Sequence, residues 1–332
     1  MAKKNYPMLP QISTIIRQPN RVTNAKYDYT LLQQKVLSYI MKELQGHIQF
    51  QLANKVSYQQ LALFSEDNKV EIKIVLKDIA KHHQDYDTII DSIRDIRTVE
   101  INFPVKDQAG KRFIKYTSLL SDVIVPEDRK HVKEVFVTLE KSVAKELLNI
   151  QEGHTKYVYE IISKSTCKYT PKVYTYICRW RDKGGVKILY SEFREMLGIA
   201  PDKYKEWKDF KKRVINEVQA ELTEKADVWF EVELEKTNQE RYLAFKIITS
   251  EDLQMLNTKR DAVMELLRHH FYFKENHFKA VAIYLIRPNV YQDLFEKLIS
   301  LRDYMSQNGA NIKDVPAYVI KSIQKDFKHR VK

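Results

Sequence analysis

The apolar positions Leu32, Val36, Ile40 and Leu44 recur four apart, with Leu37 and Met41 beside them. That spacing predicts an amphipathic helix from about Thr30 to Leu44, closed by Gly46. From Val70 to Ile74 the period drops to two, which predicts a strand. A short helix is expected over Leu76–His82. A second helix opens at Tyr86 and runs to about Arg97, followed by a strand over Val99–Phe103, and Gly110 turns a hairpin. The polar stretch Gln151-Glu152-Gly153-His154 marks a boundary. Beyond it a long helix, Tyr169 to Lys183, ends at Gly184-Gly185. Val186–Leu189 is the next strand, and Ser191 is placed to cap a short helix over Phe193–Leu197. Gly198-Ile199-Ala200-Pro201 turns the chain into a helix from Tyr204 to about Lys225. Strands over Asp227–Leu234 and Arg241–Ile248 complete the second half.

Both halves thus read helix, strand, helix, turn, helix and a two-stranded wing, an internal repeat in winged-helix order. The expected fold is α+β and mainly helical: two tandem winged-helix domains plus a helical C-terminal tail. The expected boundaries are a flexible arm over 1–20, winged helix 1 over 21–150, winged helix 2 over 151–250, and a basic tail over 251–332. In the tail Leu294, Leu298, Leu301 and Met305 make one stripe, and Tyr318, Ile323 and Phe327 another. Gly309 breaks it, and Lys325, Lys328, Arg330 and Lys332 leave its end basic.

Composition narrows the chemistry. The chain has 332 residues, two cysteines, seven glycines and a formal charge of +12. Cys167 and Cys178 are too few for a disulfide framework. The apolar runs are too short to span a membrane, and the start of the chain lacks the apolar core of a secretion signal, so a cytoplasmic protein is expected. The positive charge favours a polyanion. It is unevenly spread: residues 151–213 hold 15 basic and 8 acidic residues, residues 214–250 hold 4 and 8.

The segment from Tyr204 to Lys225 carries the strongest signal. Trp207, Phe210, Val214, Val218 and Leu222 form a core-facing stripe. Lys203, Lys205, Lys208, Lys211, Lys212 and Arg213 crowd its first half, while Glu217, Glu221 and Glu224 fill its second. The helix dipole favours the opposite arrangement, so this helix is suited to an external counter-charge such as phosphate. The matching helix of the first half carries Asp85, Asp87, Asp91 and Asp95. The first domain is therefore expected to offer a protein interface, with secondary DNA contacts from Lys106, Lys111, Arg112 and Lys115.

Catalytic patterns are missing. The glycines form no phosphate-binding loop. The pairs His82-His83 and His269-His270 are adjacent, so they lack the spacing of a nicking site, and Tyr204 with Lys208 matches only its tyrosine half. His269, His270 and His277 gain no thiol partners for zinc. No enzyme activity, cofactor or metal is expected. The tyrosines Tyr157, Tyr159, Tyr169, Tyr174 and Tyr176 share their segments with aliphatic residues and read as core.

The run Asn24-Ala25-Lys26-Tyr27-Asp28-Tyr29-Thr30 resembles the opening of theta-type plasmid replication initiators. Three segments resemble the same family more specifically: Ser165 through Tyr176; Phe193-Arg194-Glu195-Met196-Leu197-Gly198-Ile199; and Tyr204 with Phe210-Lys211-Lys212-Arg213-Val214-Ile215 and Glu221-Leu222. The resemblance spans roughly residues 20–250. It implies a Rep protein that binds origin repeats (iterons) as a monomer and its own promoter as a dimer, and that recruits the host initiator and replicative helicase. It also makes Lys203, Tyr204, Lys205, Lys208, Lys211, Lys212 and Arg213 the DNA-contacting set, joined by Lys168, Lys172 and Arg194 in the neighbouring motifs. The alternatives are a winged-helix transcription regulator without a replication role, and a rolling-circle nicking initiator.

Overall fold

The computed structural model describes residues 13–64, 69–79, 82–107, 109–129, 132–237, 240–285, 290–308, 312 and 314–328. The chain opens with β1 (Ile15–Pro19) and a single turn, α1 (Asn20–Thr23), then α2 (Leu31–Glu43) and α3 (Gln45–Asn54). Thr30 and Gln33 start α2 with a reciprocal cap: the Thr30 hydroxyl accepts from Gln33 N at 3.2 Å, and Gln33 Oε1 accepts from Thr30 N at 2.9 Å. The helix ends near Leu44 as expected, but Gly46 does not close it: after Leu44 the chain passes into α3, which contains Gly46. The break comes at Lys55, which takes a left-handed conformation.

Next come β2 (Lys69–Val75), α4 (Tyr86–Asp95), β3 (Glu100–Lys106), β4 (Arg112–Ser118), β5 (Asp122–Ile124), β6 (Glu134–Glu140) and α5 (Lys141–Leu148). The second half repeats the plan: β7 (His154–Val158), α6 (Tyr159–Ser163), α7 (Thr170–Arg179), β8 (Gly185–Leu189) and α8 (Tyr190–Met196). A long helix follows in three parts: α9 (Trp207–Phe210), a π-helical stretch Lys211–Ile215, and α10 (Asn216–Lys225). It leads into β9 (Val228–Thr237) and β10 (Glu240–Thr249).

The two sheets have one order. The first runs β2-β6-β5 and the second β8-β10-β9, so in each the last strand lies between the other two. That is the sheet of a winged helix. It also corrects the first wing: β5 and β6 are its strands, and the β3–β4 hairpin is an insertion between α4 and the wing. The strands β1 and β7, which precede the two halves, pair antiparallel with Arg17 opposite Lys156. The arm expected over 1–20 is therefore ordered from Ile15, and Ile16 is fully buried; residues 1–12 lie outside the described residues.

The described residues as far as Ile247 form one compact unit, and those from Ile248 a second. Within the first, the segment from Asn24 to Tyr29 straps the winged helices together. Arg179 donates to Asn24 Oδ1, Lys172 Nζ donates to Ala25 O at 2.5 Å, and Lys26 pairs with Glu195 at 2.6 Å. The Lys172 ammonium also sits 4.2 Å from the Tyr27 ring centre. Lys168 pairs with Asp28 at 2.5 Å. On its other side Lys26 exchanges both backbone hydrogen bonds with Asn102 of β3, each at 2.9 Å.

The second unit holds α11 (Ser250–His269), α12 (Glu275–Leu285), α13 (Tyr291–Asn308) and α14 (Val315–Phe327). Val263, Leu267, Val281, Leu294, Leu298, Val319 and Ile323 give it a core of its own. Tyr318, expected in its second stripe, is exposed. Gly309, Arg330 and Lys332 lie outside the described residues.

Two glycines separate the roles of space and conformation. Gly198 has φ +64°, and a Cβ there would meet Tyr27 O and Asp28 Cα at 2.7 Å. Gly46 lies in α3 with open space around it. Gly198→Ala is expected to cost about 2 kcal/mol or more, through strain and collision with the strap. Gly46→Ala is expected to stabilise by about 0.5–1 kcal/mol, through helix propensity. Urea unfolding of the two variants checks both signs.

Candidate nucleic-acid interface

In the second winged helix α8 and the long helix form a helix–turn–helix, and one buried arginine holds the turn between them. Arg194 donates to Tyr204 O at 2.7 Å, to Ala200 O at 3.1 Å and to Lys203 O. A guanidinium can satisfy several carbonyls at once because its donors fan out in one plane. Gly198 makes the exit from α8: its N–H bonds Glu195 O at 3.0 Å, and Ile199 N bonds Arg194 O at 3.0 Å. Tyr204, expected to open the long helix, instead has φ +48°, and the helix starts at Trp207. The cap of α8 differs too, since Tyr190 begins the helix directly after β8 and Ser191 lies inside it.

The later start changes the electrostatics. Lys203 and Lys205 belong to the turn, and Asp209 occupies the first helical turn, where the dipole favours an acid. The cationic charge on the helix is Lys208, Lys211, Lys212 and Arg213. Phe210, Val214, Ile215, Val218 and Leu222 are fully buried. The π-helical stretch explains how Val214 and Ile215 both face the core: one wide turn shifts the register of the apolar stripe by a residue. The same shift keeps Lys212 and Arg213 in solvent, while Lys211 is half-buried.

The exposed surface carries Lys208, Lys212 and Asn216, four apart along one row of the helix. Lys suits guanine edges or phosphates, and Asn can make a bidentate pair with adenine. Asn216 was not among the expected contacts; its only signal is its place four residues beyond Lys212. Beyond this row the helix turns acidic, and one of its acids has a structural role. Glu221 accepts from Thr166 N at 2.6 Å and Cys167 N at 3.2 Å, tying the segment before α7 to the long helix.

Of the expected contact residues, Lys203, Lys205, Lys208, Lys212 and Arg213 are exposed, and Tyr204 is half-buried. Three others are engaged within the protein. Arg194 is the brace of the turn and is 9% exposed. Lys172 is 3% exposed and holds the strap. Lys168 is ion-paired to Asp28. Their basic character is spent on carbonyls and a carboxylate, which charge counting does not distinguish from a DNA surface.

In the first winged helix α4 buries Ile89, Ile90 and Ile93 and exposes Asp87, Asp91 and Asp95. Arg129, from the loop between β5 and β6, pairs with Asp91 at 3.2 Å. The residues expected as secondary contacts lie on the inserted hairpin instead of the wing. Lys106 and Arg112 stand opposite each other near its tip, and Lys111 is exposed beside them. Lys115 turns inward, donating to Ser142 O at 2.6 Å and pairing with Glu146 at 3.3 Å. The outer strand β4 also exposes Phe113, Ile114 and Tyr116.

Two family profiles match the chain. Initiator replication protein, first winged helix, covers residues 15–178, and initiator Rep protein, second winged helix, covers residues 190–247. The chain belongs to the initiator Rep family. Its two winged helices are thus those of a plasmid replication initiator that binds DNA. No curated protein matches the chain. The second unit, from Ile248, lies beyond both matched regions. No described helix is long and apolar enough to cross a membrane, and the described residues contain no cluster of metal-ligating side chains.

Lys172 makes the clamp between the domains sensitive to pH. Burial pushes its ammonium from 10.5 down to about 7. Between those values the unfolded chain binds more protons than the folded one, so stability rises with pH across that window and levels off above it. At pH 7.5–9.5 the protein is expected to gain about 1 kcal/mol per pH unit from this group. Lys172→Met removes that gain, and urea midpoints of both proteins across the window measure it.

Proposed function

We propose that this initiator binds repeated sites at a plasmid origin through the helix–turn–helix of its second winged helix. The observation that carries the reading is the exposed row Lys208, Lys212 and Asn216 on a helix whose turn is braced by Arg194. The buried stripe fixes the helix in the domain, and the brace fixes the approach of Lys203 and Lys205 to the phosphates. Such a rigid frame positions base contacts, while the surrounding cations supply the sequence-independent attraction.

In this reading the first winged helix serves association. Its helix α4 repels phosphate, and Phe113 and Tyr116 offer apolar surface for a second copy. A monomer then occupies the iterons and a dimer represses the initiator's own promoter. The bound monomers recruit the host initiator and replicative helicase in the bacterial cytoplasm. The protein works by binding and requires no catalysis, metal or cofactor of its own. A transcription regulator without a replication role would use the same helix, and origin activity separates the two.

Fluorescence anisotropy on DNA flanking the gene, against scrambled DNA at several salt concentrations, tests the reading. Specific binding is expected to be at least about 10³-fold tighter, with a direct-repeat array preferred. Charge reversal at Lys208 and Lys212 is expected to lower specific affinity at least about 100-fold and to flatten the salt slope by about two phosphates' worth of counterions. Reversal at Lys111 and Arg112 is expected to cost about 10-fold or less. Equal affinity for both DNAs, or loss confined to the hairpin variants, would overturn the assignment.

A further inference from the structure

The first unit contains a groove of about 540 Å³ between the inserted hairpin of the first winged helix and the sheet of the second. One wall is β8. Four consecutive residues of it, Val186 to Leu189, line the groove. Consecutive side chains of a strand point to opposite faces, so a continuous lining means that the strand presents its edge. In agreement, β8 is the outer strand of its sheet and bonds only β10. The facing wall is the cross-strand pair Pro104 and Ile114. Pro104 has no N–H to offer, so that wall does not compete for strand pairing.

At one end of the groove stands Arg179, half-buried at the end of α7. Its neighbours are the Asn24 side chain and the Trp180 ring, 4.8 Å away, and no described carboxylate lies within ion-pair distance. Burial without a counter-charge holds its guanidinium below the usual range. The rim lysines Lys26 and Lys187 are already paired, to Glu195 at 2.6 Å and to Glu235 at 2.7 Å, so Arg179 is the lining cation left to receive a carboxylate.

We propose that this groove docks an extended acidic segment of a partner protein, added as a further strand beside β8 with a carboxylate on Arg179. Backbone pairing to an open strand edge supplies affinity, and flanking pockets select alternate side chains. The aliphatic walls Ile114, Val186 and Leu189 suit β-branched residues on either side of the acid. A duplex is too wide for a groove of this size, and the aromatic rings at its rim are already covered by cations of the chain itself, Lys187 on Tyr242 among them. A peptide fits both features.

The test is selection of displayed random heptapeptides on the full-length protein, followed by titration of the enriched sequences as synthetic peptides. Enrichment of an Asp or Glu flanked by β-branched residues is expected. Binding is expected to fall at least 10-fold for Arg179→Gln, for Ile114→Glu, and for the peptide whose acid is replaced by its amide. Ile114 is more than half exposed, so Ile114→Glu leaves the fold in place, as far-UV circular dichroism would verify. Failure to enrich any peptide, enrichment without an acid, or equal binding to both variants overturns the proposal. So does loss of duplex affinity in both variants without peptide binding, which would assign the groove to DNA. Origin affinity measured in parallel reports on the proposed DNA contacts separately.

Discussion

A lysine without a carboxylate partner sits where the two winged helices meet, and the arrangement of the first unit depends on how it is satisfied. Lys172 gives its ammonium to the Ala25 carbonyl and lies against the Tyr27 ring. An isolated buried cation is costly, so the strap must stay seated for α7 to keep its place. The seat is shared: Lys168 fixes Asp28, Lys26 reaches Glu195, and the glycine at 198 lets the turn of the helix–turn–helix rest on the strap backbone. A segment of six residues therefore connects the junction between domains to the helix–turn–helix proposed to face DNA. Displacing it would leave a buried amino group without its acceptor and loosen the turn together, which couples the relation of the domains to the shape of the interface.

Secondary structure was legible where period and punctuation agreed. The alternation of Val70–Ile74, the four-residue spacing of Leu32–Leu44 and the hairpin at Gly110 correspond to β2, α2 and the β3–β4 turn. The misplacements share a cause, namely tertiary contacts that a local pattern does not contain. The helix expected from Tyr204 begins at Trp207 because Arg194 pulls the carbonyls of Lys203 and Tyr204 toward itself. The helix expected to end at Leu44 does end there, but Gly46 is not its terminator: it lies inside α3, because glycine is tolerated in a helix when nothing crowds it. In sequence the inserted hairpin reads as the wing because both are two-stranded and follow the same helix; only strand order distinguishes them.

The basic residues divide by what lies next to them in space. Lys208 and Lys212 could be placed on the surface from sequence, since they lie off the apolar stripe. Lys115, Lys168, Lys172 and Arg194 could not, because their partners are 27 to 147 residues away or are backbone carbonyls of the turn. Net charge of a segment measures the sum of these two populations. Here the difference matters chemically: a lysine already bound to a carboxylate releases no counterion when DNA arrives, so it adds little to the salt dependence of binding.

The same division explains why two domains of one plan are electrically unlike. In the second, Glu221 accepts from backbone N–H groups, so one acid of the later half of the long helix serves structure, and the first half is cationic. In the first, Asp87, Asp91 and Asp95 lie on the outer face of α4, and Arg129 offsets only part of that charge. A winged helix whose equivalent helix is acidic meets phosphate at an energetic disadvantage, whatever its backbone. At the tip of the added hairpin two cations, Lys106 and Arg112, face each other across the strands. Like charges opposed in that way repel, and they are relieved most by an anion shared between them. On the proposed reading, the inserted hairpin would give the first domain a place to meet phosphate that α4 does not provide, while β4 exposes apolar surface.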